Sequence, residues 1–139
     1  MNQAELRQMA EERLRDAKVL LDGGRWEFAY YAAGYAIECA LKSCLLARMI
    51  HTAWVFQDKW QAAECRVHDF GKLIDLAGLR AELTAKLTPG GPFSVHWTTV
   101  SKWKETSRYE AKPEAEARAL YEAISHDPDG VLLWLRNYW

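Results

Sequence analysis

Residues 25–48 are apolar on nearly every side of a helix, and this stretch limits the available folds more than any other. Tyr31, Tyr35, Leu41 and Leu45 recur at helical spacing in one direction, and Ala29, Ala33, Ala36, Ala40 and Ala47 in another. A helix without a polar face must be covered by neighbours all round, so it belongs in the middle of a bundle. Its alanines and Gly34 allow those neighbours to come close. The exceptions are Glu38 and Lys42, one turn apart. Charges at such a place are costly unless paired. They are expected either to pair with each other, or with Arg108, and hold helix register, or to form the charged floor of a pocket. The longest apolar run, 28–37, ends at Glu38 and falls far short of the ~20 residues that cross a bilayer.

The remaining pattern is helical too. Asn2 and Glu5 have capping-box spacing, and Leu6, Met9, Ala10, Leu14, Ala17, Leu20 and Leu21 trace a single stripe before Gly23-Gly24 ends the helix. Residues 52–67, with Trp54, Phe56 and Trp60, read as a short helix or an ordered connection. Asp69 is an N-cap for a helix carrying Phe70, Leu73, Ile74 and Ala77. That helix ends at Gly78, or a further helical segment continues through Leu79, Leu83 and Leu87. Residues 88–92 are a Pro/Gly loop, and 93–100 are ambiguous between helix and strand. A late helix follows Pro113, and Asp127-Pro128 is expected to start another as cap and first-turn proline. With no sustained alternation, hairpin signal or repeat, the expectation is an all-α fold in one domain, 1–139.

Composition narrows the partners. Eighteen Lys and Arg against nineteen Asp and Glu exclude a strongly basic nucleic-acid binder or polybasic membrane module as a whole-chain description. Residues 1–22 carry charges throughout and contain no signal-type apolar region. Cys39 and Cys44 lie about 140° apart around one helix and cannot bridge within it. Together with Cys65 they read as reduced thiols of a cytoplasmic protein. Cys65 and His68 have ligand-like spacing, but no second pair completes a zinc site. No glycine-rich phosphate loop, Ser–His–Asp arrangement or paired-carboxylate motif stands out, and no cofactor is expected.

The run Tyr30-Tyr31-Ala32-Ala33-Gly34-Tyr35-Ala36-Ile37-Glu38-Cys39-Ala40-Leu41-Lys42 resembles the central helix of HEPN domains. His68-Asp69-Phe70, with Lys72-Leu73, resembles the start of that family's third helix, and Arg108-Tyr109 the "RY" before its last helices. The resemblance implies a bundle of four to five main helices with short extra helical segments, paired as a homodimer. It further implies a toxin–antitoxin or defence setting, as a metal-independent ribonuclease, a partner of a nucleotidyltransferase, or a module binding RNA or a nucleotide. The nuclease branch carries an arginine followed, after four to six residues, by a histidine. Here Arg48/His51, Arg66/His68 and Arg118/His126 all have the wrong gap. The last pair would be separated by about 12 Å of rise on an unbroken helix.

The candidate ligand surface is the 101–112 segment, where Lys102, Lys104, Arg108 and Lys112 outnumber Glu105 and Glu110 and interleave with Trp103 and Tyr109. Cations among aromatics suit backbone phosphates and stacked bases. Arg108 and Lys72 are expected to contact phosphate, Tyr109 to stack, and His68 to donate or accept a hydrogen bond. Trp54 and Trp60 fit a core or dimer interface better than a base platform. The expected function is binding of RNA or a nucleotide without standard HEPN nuclease chemistry. The alternatives are a ribonuclease with a non-standard site and a structural protein-interaction partner.

Overall fold

A computed structural model describes residues 2–51 and 67–139, the His51 side chain excepted. Trp54, Phe56, Trp60, Cys65 and Arg66 lie outside the described residues. Among those described there are seven α-helices, one 3-10 segment and no strand.

Helix α1 (Gln3–Asp22) starts on the expected capping box. Asn2 Oδ1 accepts the Glu5 N–H and Glu5 Oε2 accepts the Asn2 N–H, both at 2.8 Å. Leu6, Ala10, Ala17 and Leu21 are buried, while Met9, Leu14 and Leu20 flank the stripe half-buried. Gly23 closes the helix with ordinary backbone geometry, and the left-handed residue is Gly24, at φ 75°. This turn returns the chain along α2 (Trp26–His51), which passes beyond Arg48. As its apolar circumference requires, α2 touches α1, the third, sixth and seventh helices and the 3-10 segment.

Helix α3 (Phe70–Leu76) begins where Asp69 Oδ1 accepts the Lys72 N–H at 2.9 Å. Its C-terminal carbonyls are capped from α2, because Arg48 Nη1 donates to Leu76 O at 2.8 Å. The chain turns at Gly78 and resumes as α4 (Arg80–Lys86), so the helix both ends and is followed by a second segment. Residues 93–100 are helical, within α5 (Pro92–Ser101). Phe93 and Val100 face inward two turns apart, with Trp97 half-buried on the same side. After the 3-10 segment (Glu105–Tyr109) comes α6 (Glu114–Ser125).

The expectation at Asp127-Pro128 is corrected. The last helix, α7, is Val131–Leu135 with Gly130 as its N-cap. Residues 126–130 form a turn instead: the Gly130 N–H donates to His126 O at 2.8 Å and the Asp129 N–H to His126 Nδ1 at 3.2 Å. Those bonds take the two N–H groups, at Asp129 and Gly130, that an Asp127 cap would have to satisfy. Among the described residues, no helix is long and apolar enough to cross a membrane.

At Gly34 a neighbouring side chain comes directly against α2. Any Cβ there would overlap the Trp103 indole, which lies directly on the helix backbone. Trp103 is buried and stacked on Phe70, with centroids 5.1 Å apart and planes 7° from parallel. One aromatic sandwich thereby positions both α3 and the chain leading into the 3-10 segment.

Candidate functional site

The site is built from Glu38 outward. Glu38 is only 1% exposed. Its Oε1 receives Lys42 Nζ at 2.8 Å, the expected i,i+4 pair, and lies 2.8 Å from His68 Nδ1. Burial of Phe70 against Trp103 anchors α3, which holds the preceding His68 over α2. A carboxylate removed from water is tolerated because two donors share one of its oxygens. Its Oε2 has no hydrogen-bond partner among the described residues.

The other face of His68 meets the 3-10 segment. His68 Nε2 lies 3.9 Å from Glu105 Oε2, and Glu105 Oε1 lies 3.5 Å from Arg108 Nη2. The Arg108 guanidinium stands 4.7 Å from the ring centroid of Tyr109, a residue 77% exposed. Arg108 therefore pairs with Glu105 and not, as the alternative expectation had it, with Glu38.

A cavity of about 470 Å³ opens beside His68. Phe70, Trp97 and Trp103 contribute aromatic walls; His68, Arg80 and Lys104 bring nitrogen donors; Asp69 and Glu105 bring carboxylates. Ser101 and Thr106 add hydroxyls. Arg80 is held in place, with Nε 2.7 Å from Asp75 Oδ1 and Nη2 2.9 Å from Gly71 O. The hydrogen bond from Arg80 holds the Asp75 carboxyl below its ordinary range. Such a cavity can receive an anionic group and a flat ring together.

Of the four expected ligand contacts, His68 lines the cavity, while Arg108 and Tyr109 adjoin it through Glu105. Lys72 is exposed on α3 and is not among the described lining residues. Lys112 turns away: it pairs with Glu110 at 3.3 Å and lies 4.8 Å from the Tyr30 ring. Arg80 and the position of Glu105 between His68 and Arg108 were not legible in the sequence. The Asp75–Arg80 spacing was the one available signal for the former.

The Arg–His pairs do not converge where both side chains are described. Arg118 pairs with Glu114 at 3.1 Å and stands 5.5 Å from the Trp26 centroid, whereas the His126 ring packs 4.9 Å from that of His96. No group of three or more His, Cys, Asp or Glu among the described residues is arranged to hold a metal ion. Cys65, the other half of the weighed zinc spacing, is outside them.

In comparison with known proteins, the family model described as HEPN domain matches residues 3–55. The match takes in α1 and α2, including Glu38 and Lys42, while His68 and Arg108-Tyr109 lie beyond it. No curated protein and no solved structure gives a significant match.

Proposed function

We propose, for a chain whose residues 3–55 match the HEPN domain, a module that binds RNA or a nucleotide beside its central helix. The observation that carries this reading is the cavity that His68, Arg80 and Lys104 line together with Trp97 and Trp103. Arg80 and Lys104 supply positive charge for phosphate, and Trp97 supplies a face for a base. Arg108 and Tyr109 extend the same combination along the 3-10 segment, and Lys72 provides an outer phosphate contact on α3. The family resemblance adds a toxin–antitoxin or defence setting, a homodimer and a nucleotidyltransferase-type partner to the proposal, and the cysteines, read as reduced, add a cytoplasmic location.

A second reading, a metal-independent ribonuclease with a non-standard site, is favoured by one specific contact. Glu38 holds His68 Nδ1, so in the neutral Nδ1–H form Nε2 is left as a proton acceptor at the cavity. Its proton source would be a ribose 2′-OH, whose oxygen attacks the adjacent phosphorus as the P–O5′ bond breaks. The leaving O5′ takes its proton from water, and a 2′,3′-cyclic phosphate and a 5′-hydroxyl result.

Fluorescence anisotropy with a mixed-sequence single-stranded RNA, run in EDTA with gel analysis of the same samples, tests both readings. Wild type should bind, with about tenfold weaker affinity on Arg108→Ala or Lys104→Ala, in the range expected for loss of a charge-assisted contact. Unchanged affinity in both variants, with the fold intact by circular dichroism, overturns the binding surface. EDTA-resistant cleavage lost in His68→Ala establishes the second reading.

A further inference from the structure

Glu105 differs from the other carboxylates at this site in how loosely it is held. Glu38 and Asp75 each have a partner at 2.7–2.8 Å, and Asp69 Oδ1 accepts the Lys72 N–H at 2.9 Å. The oxygens of Glu105 stand 3.9 Å from His68 Nε2 and 3.5 Å from Arg108 Nη2, outside close charge-assisted geometry. Both donors have other supports: His68 through Glu38, and Arg108 through the face of Tyr109. They remain in position whether or not Glu105 lies between them. The residue lines the cavity, and its side chain is 29% exposed, so it has room to swing into water.

We propose that His68 and Arg108 form a seat for a phosphate group, and that Glu105 is the chain's own anion, occupying the seat until a ligand displaces it. This inference rests on the RNA or nucleotide reading above and specifies its chemistry. A phosphate presents more oxygens than a carboxylate in a tetrahedral array, and a terminal or free phosphate more charge as well, so it can approach both donors at hydrogen-bond distance. In its imidazolium form His68 donates through Nδ1 to Glu38 and through Nε2 to the phosphate. Arg108 presents a planar fork to the same group. Exposed ion pairs as long as those of Glu105 are weak, so displacement is easy. While Glu105 stays, its charge opposes the incoming phosphate, so only a ligand that engages both donors better than this carboxylate displaces it.

The test is a titration of the full chain with a mixed-sequence single-stranded RNA octamer, and separately with inorganic phosphate. It compares wild type, Glu105→Gln, Glu105→Gln/Arg108→Ala and Glu110→Gln. Glu105→Gln keeps the side-chain shape and removes the resident charge, so both probes should bind roughly tenfold tighter, since like charges in contact oppose binding by that order or more. The gain should vanish in the double variant. Glu110→Gln removes one negative charge elsewhere, where Glu110 pairs with Lys112, and should leave affinity near wild type. RNA binding by wild type with no gain in Glu105→Gln, or an equal gain in Glu110→Gln, overturns the seat and leaves the binding reading standing. Absence of RNA and phosphate binding in every folded variant overturns both.

Discussion

His68 Nδ1 and the buried Glu38 Oε1 are 2.8 Å apart, and this contact ties the lead-in of α3 to the middle of α2. The same oxygen takes Lys42 Nζ at 2.8 Å, so three residues from two elements share one atom. Removing one member of a buried charged group costs more than the group contributes, because its partner stays behind without compensation.

Glu38→Gln should therefore destabilise the fold by about 3 kcal/mol, the order found when one partner of a buried pair is removed. Glu38→Leu combined with Lys42→Met should recover most of that loss, since apolar replacements of similar volume are often neutral. Urea denaturation of the three proteins checks this. A loss below about 1 kcal/mol in Glu38→Gln would mean the carboxylate contributes little net stability.

Gly34→Ala should lower stability by roughly 3 kcal/mol, the upper range for forcing one methyl group into a filled core. The new Cβ would overlap the Trp103 indole, and stacking on Phe70 leaves that ring little space to retreat. Thermal unfolding followed by tryptophan fluorescence reads the effect. Substituting Trp103→Phe in the Gly34→Ala chain should restore part of the loss, because the smaller ring vacates the contested volume. An unchanged melting temperature in Gly34→Ala would contradict the close packing.

Cys39 and Cys44 should be inert in the folded protein. Burial first of all, with the Glu38 charge adding to it, pushes the Cys39 thiol up to about 11. Burial raises that of Cys44 to about 12. At pH 8 both are protonated and shielded, so in a Cys65→Ser chain Ellman's reagent should react only after denaturant is added. Both folded values exceed the unfolded value of 9.0. The associated stability is fully present below pH 9 and is lost as pH rises through about 11 to 12. Rapid reaction of two thiols at pH 8 without denaturant would refute the burial of these residues.

Local patterning exposed much of the framework. The capping box at Asn2 and Glu5, the stripe along α1 and the Asp69 cap each lie within a few neighbouring residues, where intrinsic preferences decide. Residues 93–100 were ambiguous because Val95, Thr98, Thr99 and Val100 are β-branched and favour strands locally. Packing resolved them, since Phe93, Trp97 and Val100 share one side only in a helix. At 126–130, turn hydrogen bonds to His126 overrode the cap-like Asp127-Pro128 signal.

By itself, the sequence determined that α2 needs neighbours on every side and that the charges of Glu38 and Lys42, one turn apart on it, must be answered. Both conclusions follow from burial and from the helical period, which act over one or two turns. Only the tertiary structure decided that His68 closes on Glu38 across 30 positions and that Glu105 stands between His68 and Arg108. It also decided that Arg80 joins their cavity. These meetings depend on how α3 and the 3-10 segment dock through Phe70, Trp103 and Gly34. Side-chain packing between distant segments sets them, and no local period in the chain records it.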